Sequence, residues 1–445
     1  MKNNNALIPG RNNNSLKIFK NEEPDNKTIL KHSYKPSCIP YGVRSVNVTH
    51  DSKYLIITYL SNHGYIRVID LEKLELLPCR YFGHNNSIRM VAVTLDNKYF
   101  FTASWDGTYR RFDLLKGTYD LTLGVTGRSP SCCLDVDETH LLTASYDSDI
   151  SLSGNNTGRR WNLSAEEVVT FYRHFKPRKD PECIDIACDN EFTYSGSDDG
   201  MGLKFDKRTG KILLTYCECD ANIRKIVVTD HLFGASATDG VIRVHDKVTG
   251  AWIRDLFHSY DEAMDVRISK DETRLFSGSM DGSIKCFSLV AGEELFHKKL
   301  FDQWIWSLKL AFNDEVLISG SSDGSVAFVS SETGQLLARL HCYPVENEFL
   351  FECPPDKAFP QGFFYSSNKN FIEVVKEDME SGITRVLDIK DPERISYIDR
   401  YNLRNMVITR LTNNRHYNAI TEKYLNDRKL LDNIPDLNLP KRLKS

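Results

Sequence analysis

The chain has 445 residues, 57 Lys and Arg against 61 Asp and Glu for a formal net charge of −4, with 41% hydrophobic and 27% charged residues. Those values describe a folded globular chain and exclude a collagenous or wholly disordered one. No apolar stretch approaches the roughly 20 residues needed to cross a bilayer, and near-neutral charge argues against wholesale capture of nucleic acid, which needs a concentrated basic surface. Residues 1–26 are rich in Asn and read as a disordered N-terminus without the apolar run of a secretory signal peptide. The 11 cysteines are odd in number and irregularly spaced, which suits reduced, packed thiols and a cytoplasmic chain better than a disulfide framework.

From residue 27 to 342 the sequence repeats itself. A short turn followed by an alternating strand recurs as SNHGYIRVID from Ser61, SWDGTYRRFD from Ser104, SYDSDISLSG from Ser145, SDDGMGLKFD from Ser197, ATDGVIRVHD from Ala237, SMDGSIKCFS from Ser279 and SSDGSVAFVS from Ser321. The Gly or its equivalent falls at 64, 107, 148, 200, 240, 282 and 324, at intervals of 43, 41, 52, 40, 42 and 42 residues. The long interval is read as an insertion of about ten residues carrying Arg159 and Arg160. A period of about 40–45 residues with four strands per unit is that of a propeller blade.

The residues of one unit show why. Ile88 to Val93 reads as an inner strand, Asp96-Asn97 as a turn and Tyr99 to Ser104 as a second, aromatic-rich strand. Asp106-Gly107 reverses the chain, because an Asp-Gly pair tolerates positive φ in a tight hairpin. Thr108 to Asp113 is the third strand, Lys116-Gly117 the next turn, and Tyr119 to Leu123 the outer strand. No such sheet buries both faces alone, so neighbouring units must stack round an axis.

The repeated Asp residues, Asp106, Asp147, Asp199, Asp239, Asp281 and Asp323, together with the dipeptides ending the third strands (Ile69-Asp70, Phe112-Asp113, Phe205-Asp206, His245-Asp246), resemble the WD40-repeat family, with Trp absent from those dipeptides. The resemblance implies an all-β fold, a propeller of seven four-stranded blades, or eight if residues 343–390 form another blade. It also implies that His84, in the Gly83-His84 pair, hydrogen-bonds Asp106 across its blade, the other blades relying on Asp bonded to local backbone.

Beyond Cys342, strands are expected at Glu348 to Glu352, Gly362 to Ser366, Phe371 to Lys376 and Ile383 to Ile389, as an eighth blade or as a β appendage, with seven blades preferred. Lys27 to Ser33 is expected to supply an outer strand to the last blade. Asp391-Pro392-Glu393 opens a helical module over 391–433, capping the rim or docking a partner, and 434–445 is a tail.

Catalytic and metal patterns dissolve into the repeat. Gly320-Ser321-Ser322-Asp323-Gly324 matches the G-x-S-x-G elbow, but it leads into a strand, not a helix. Cys217-x-Cys219 has no second pair at ligand spacing, and no phosphate-binding Gly loop follows a strand into a helix. No cofactor, metal or catalytic residue is assigned.

What remains is recognition. The resemblance implies a scaffold or adaptor that binds a protein or peptide, within a complex, on the face of the Asp-Gly turns. The alternative is a subunit reading a modified peptide or nucleic acid, with a propeller enzyme behind it; a membrane or small-molecule ligand is disfavoured. Residues preceding the turn Asp should be exposed there, giving one cluster of Trp105 and Tyr146 and another of Tyr260, Met280 and Trp304. Trp306 reads as core. The loop HFKPRKDP, with His174, Lys176, Arg178 and Lys179, should reach the same face and, with Arg159 and Arg160, meet an acidic partner or phosphate.

Overall fold

Second strands are where neighbouring sheets press hardest. In the segments Tyr54–Tyr59, Tyr99–Ser104, His140–Tyr146, Phe192–Ser197, Leu232–Ala237, Arg274–Ser279 and Val316–Ser321 the fifth residue is small: Thr58, Ala103, Ala144, Gly196, Ser236, Gly278 and Gly320. A Cβ added at Gly196, Gly278 or Gly320 would come within 2.6–2.7 Å of Ile223, Ile305 or Val43 at the start of the next inner strand. The small residue is therefore what lets consecutive sheets stack face to face.

The structure, a computed structural model, describes residues 17–20, 28–34, 41–124, 128–134, 138–146, 157–174, 183–345, 347–356, 362–368, 372–378, 384–392, 394–395, 398 and 402–412. Seven antiparallel sheets stand round a common axis. Their inner strands are Val43–Val48, Ile88–Val93, Arg128–Leu134, Cys183–Cys188, Ile223–Val228, Ala263–Ile268 and Ile305–Ala311, numbered here as blades 1 to 7, and each packs against the next in a ring. Blade 7 meets blade 1 through non-covalent contacts alone: the Val46 N–H donates to Ser307 Oγ at 3.2 Å, and the Phe312 N–H to Ser52 Oγ at 2.9 Å.

The described residues form seven blades, the number preferred from the sequence, while other expectations are corrected. Blade 7 has six strands, its sheet continuing through Leu336–Tyr343 into Glu348–Cys353 and Phe363–Ser366. Thr28–Tyr34 does not extend the last blade. It pairs along its length with Ile372–Asp378 in a separate sheet that also holds Lys17–Lys20 and Thr384–Val386. Lys17–Lys20 is thus a strand inside the segment expected to be disordered.

In blade 3 the third strand is Thr157–Asn162, so Arg159 and Arg160 are strand residues rather than part of an insertion. Trp161-Asn162 then occupies the terminal dipeptide position, and Asn162 Oδ1 accepts the N–H groups of Ser164 and Ala165, both at 2.9 Å. Asp113 does the same for Leu115 and Lys116 at 3.0 and 2.9 Å. The polar end residue is kept because it caps the following turn, whichever residue precedes it.

The Asp-Gly turns are three-residue loops. In blade 2 the Gly107 N–H reaches Ser104 O at 3.2 Å, and of the pair only Gly107 has positive φ, at 81°. That geometry is a type I turn closed by a left-handed Gly, and it too matches the twist of the strands.

Blade 1 has an outer strand of two residues, Glu75–Leu76. Near it the helix α1, Arg404–Thr412, which packs on Leu336–Tyr343 and Phe363–Ser366 of blade 7, buries Met406, Val407, Ile408 and Leu411 in one core with Leu71, Leu74, Phe349, Phe351 and Phe363. Within the expected helical module, backbone at Pro392, Arg394, Ile395 and Ile398 is also helical. Residues 413–445 lie outside the described residues.

Candidate functional site

Inner strands that alternated strictly would bury every second residue. Here the buried apolar residues are three apart: Val43 and Val46, Ile88 and Val91, Cys183 and Ile186, Ile223 and Ile226, Ala263 and Val266, Ile305 and Leu308. Each pairing to the second strand slips at that point, for example between Val43 and Ser45 and between Ile305 and Ser307. This is a β-bulge repeated round the ring, and a bulge aims two consecutive side chains to one side. The two-residue sets Arg44-Ser45, Arg89-Met90, Ile184-Asp185, Arg224-Lys225, Met264-Asp265 and Trp306-Ser307, with Ser131, line a cavity at the mouth of the central channel.

The mouth is rich in cations. Arg224 pairs with Glu262 at 2.7 Å, Lys225 with Asp185 at 2.9 Å and Arg267 with Asp265 at 3.0 Å. The two channel carboxylates are further engaged: Asp185 accepts from Ser131 Oγ at 2.6 Å and from the Ile226 N–H at 3.1 Å, and Asp265 from the Leu308 N–H at 2.7 Å.

Arg44 is 5% exposed, and its guanidinium lies 4.0 Å from the centre of the Trp306 ring. Burial, then the facing Arg89 and Arg224, works against its charge, with Asp265 opposing them. Deeper in the channel, burial followed by the fields of Arg267 and Lys225 brings the Lys309 amine down to about 8.

Aromatic rings frame this charge. Trp304, 43% exposed, meets Trp306 edge to face at 5.3 Å, and the Trp306 indole N–H donates to Ser322 Oγ at 2.5 Å. The Arg89 guanidinium sits 5.4 Å from the Trp105 ring. Trp306, read from sequence as core, is the bulge residue of blade 7 and lines the mouth. Ser322 is a half-buried partner of that ring, in keeping with a turn residue.

The residues before the turn Asp are not free tips. Trp105, Asp198, Thr238, Met280 and Ser322 are all half-buried. In Trp105, Thr238, Met280 and Ser322 the backbone N–H still bonds across to Ser87, Asn222, Glu262 and Trp304. The ladder runs one residue further than expected and draws the side chain down onto the rim. The second expected cluster also divides: Tyr260, 96% exposed, meets Phe257 at 5.1 Å, whereas Trp304 meets Trp306. Asp147, Lys176, Arg178 and Lys179 lie outside the described residues, as does the side chain of Tyr146.

The turns themselves are polar networks. His84 Nδ1 lies 2.8 Å from Asp106 Oδ2, and Nε2 lies 2.7 Å from Thr102 Oγ1. Burial lowers the His84 pKa against the pull of Asp106, so the ring is neutral, donating at Nδ1 and accepting at Nε2. Burial opposes ionisation of Asp106, but hydrogen bonds from His84, Thr108 and the Asn85 N–H outweigh it and hold the carboxyl well below its usual range.

Two further blades carry a histidine that the search for a Gly-His pair passed over. His174 bonds Asp199 at 3.1 Å and Ser195 at 2.7 Å. His258 bonds Ser277 at 2.5 Å and Ser283 at 3.0 Å, with Asp281 3.9 Å away. His174 is therefore a buried part of its blade, not part of a basic loop. Asp239 and Asp323 bond the Val241 and Ser325 N–H groups at 3.1 and 2.8 Å, and Asp239 also pairs with Arg243 at 2.5 Å.

Burial pushes the thiols of Cys132, Cys217, Cys286 and Cys342 up to about 12. No helix among the described residues is long and apolar enough to cross a membrane.

With this geometry in hand, similarity to known proteins is specific in kind but partial in extent. The WD40 family model (WD domain, G-beta repeat) matches residues 77–113, 253–288 and 296–328, which start in or just after an outer strand and end in the third strand of the next blade. The chain is 24% identical over 224 residues to pre-mRNA-processing factor 19 homolog 2 of Arabidopsis thaliana, covering 47% of this chain and 39% of that protein. It is 26% identical over 213 residues to the serine-threonine kinase receptor-associated protein of Gallus gallus, covering 47% and 56%. Both alignments thus span about half or less of the relatives' own length. The crystal structure of a computationally designed protein, Ika8, superposes with a TM-score of 0.53 at 17% identity over 79% of this chain and 98% of that one, a likeness of fold alone. Repeats in phase, seven stacked antiparallel sheets and family matches on three of them make this chain a seven-bladed β-propeller that carries WD40-type repeats at three positions and is similar in sequence to WD-repeat proteins.

Proposed function

We propose that this propeller is a non-catalytic scaffold that holds a protein or peptide partner over the channel mouth, on the face of the Asp-Gly turns. The observation that carries the reading is the grouping of Trp304, Trp306, Arg44, Arg89 and Trp105 from blades 7, 1 and 2 round one opening. Trp and Arg dominate binding hot spots because they remove much surface from water while keeping donors available. The non-catalytic reading is supported by Asp185 and Asp265, which are occupied by cations and backbone N–H groups rather than held ready for proton transfer. The name of the animal relative describes association with another protein, in keeping with such a role. A cytoplasmic location is part of the proposal, supported by the buried free thiols of Cys132, Cys183, Cys217, Cys286 and Cys342.

The test compares proteins captured by the full chain with those captured by a Trp304→Ala, Arg89→Ala double variant whose melting temperature is checked first. The expected result is at least a tenfold loss of the partner that wild type holds most strongly. Unchanged capture by a folded variant would move the binding face away from the mouth.

A further inference from the structure

We propose that the channel mouth takes a phosphorylated side chain of the bound partner, with Arg44 as its principal donor and Arg89 at the rim. The inference rests on the protein-binding reading above and names the chemistry the partner brings.

The described residues offset the positive charge of the mouth only in part. Glu262, Asp185 and Asp265 are each matched by one cation, Arg224, Lys225 and Arg267. Among the described residues that leaves Arg44 and Lys309 without a carboxylate, in a site walled by protein. Arg44 is 5% exposed. Removing a charge from water without a counter-charge is costly, so such a group is expected where a ligand supplies the missing charge.

The arrangement of Arg44 also says where its donors go. Its guanidinium carbon lies over the Trp306 ring, 4.0 Å from the ring centre. The ring face attracts the cation but supplies no carboxylate or carbonyl acceptor for its five N–H donors. The ring therefore fixes the guanidinium while leaving its donors for an acceptor in the cavity that Arg44, Arg89 and Arg224 line together. The Trp306 ring is itself held, by its indole N–H on Ser322. A planar, oriented fork is suited to the paired oxygens of phosphate or carboxylate. Phosphate fits the larger deficit, because at neutral pH it brings close to two negative charges where a carboxylate brings one.

A phosphopeptide suits the mouth better than a nucleic acid. A strand of RNA or DNA needs a basic track several nucleotides long, whereas these cations converge on one opening in a chain of net charge −4. An extended peptide would lie across the rim on Trp304 and Trp105 and insert one side chain between the guanidiniums.

The experiment uses the full chain and follows tryptophan fluorescence, with calorimetry as a second readout. Three probes are titrated: inorganic phosphate, a Gly/Ala-flanked phosphoserine peptide beside its serine counterpart, and a single-stranded oligonucleotide. The expected result is weak binding of phosphate and binding of the phosphopeptide at least about tenfold tighter than of the serine peptide, declining with salt. Arg44→Gln should remove that preference. If this variant does not fold, Arg89→Ala, at the half-exposed rim, carries the test and should weaken phosphopeptide binding several-fold.

Equal binding of the two peptides would overturn the proposal, as would tighter binding of the oligonucleotide, which would make the mouth a nucleic-acid site. Should a protein partner depend on Trp304 and Arg89 while phosphate and phosphopeptide leave the protein unperturbed, the phosphate inference falls and the scaffold reading stands. Loss of both would sink the two together.

Discussion

Blades 1 and 2 are neighbours that solve one packing problem by different means. Blade 2 has four full strands and ties its turn to its own sheet through His84, Asp106 and Thr102. Blade 1 has a two-residue outer strand and His63-Gly64 where blades 2 and 4 to 7 carry Asp-Gly, and it borrows its seal from the helix Arg404–Thr412 more than 300 residues away. Arg404 reinforces that junction, its guanidinium reaching the Lys73 carbonyl and pairing with Glu75 at 3.0 Å. A blade can thus be completed by local polar bonds or by remote apolar cover. The first is inexpensive in sequence and sensitive to protonation; the second is sensitive to anything that detaches the chain beyond blade 7.

The contrast breaks most severely at the helix. Leu411 is fully buried in the core shared by blades 1 and 7, so Leu411→Asp would place a carboxylate among apolar side chains and cost more than about 4 kcal/mol. Denaturant unfolding should show a large loss of midpoint, or expression should yield aggregate. A well-folded variant would mean that blade 1 stands without its cover.

Next in size is the lock of blade 2. His84→Ala removes both ring bonds and leaves the Asp106 carboxylate, 11% exposed at its side chain, short of its main donor. A loss of about 2–3 kcal/mol is expected, because an orphaned buried polar group costs more than a hydrogen bond returns. Proteolysis within blade 2 should rise before global unfolding. An effect below about 0.5 kcal/mol would show that the network is ornamental to stability.

The smallest effect per unit of change is with pH, and it separates the two kinds of seal. Burial holds His258 down to about 4, against 6.5 for the free side chain. The unfolded chain therefore takes up a proton that the folded one refuses, so stability is lost as pH falls from about 6.5 to about 4, by up to roughly 1.4 kcal/mol per unit. His84, also lowered by burial, adds in the same direction. Denaturation across this window should give a flatter pH slope for His258→Gln than for wild type. An unchanged slope would assign the acid sensitivity to other groups, whereas the apolar seal of blade 1 contributes none.

Legibility differed between fold and site for a physical reason. Turns are local, so Asp-Gly at a period near 42 residues announced the blades, and the strands after Cys342 were placed within a residue or two at their starts. The third strand of blade 3 was placed too early because SYDSDISLSG has the sequence pattern of a turn and strand, while the described third strand, Thr157–Asn162, lies further on. At the mouth, a reading that assumed strict alternation sent Trp306 to the core and overlooked Arg44, Arg89 and Arg224. The signal was present as buried residues spaced by three, at Val43 and Val46 or Ile223 and Ile226, in each case with the arginine between them.

By itself, then, the sequence determined what short-range forces determine: β-strands of about six residues, the turns that join them, the repeat that forces them to stack, and a reduced-thiol composition. Tertiary structure decided everything that depends on which distant residues share a space. It set the number of blades at seven, because the segment after Leu336–Tyr343 found its pairing partners on an existing sheet and on Thr28–Tyr34. It buried the helix Arg404–Thr412 in the core that blades 1 and 7 share. It gathered arginines from blades 1, 2 and 5 and tryptophans from blades 2 and 7 round one opening, since a ring of bulges places side by side what the chain keeps scores of residues apart.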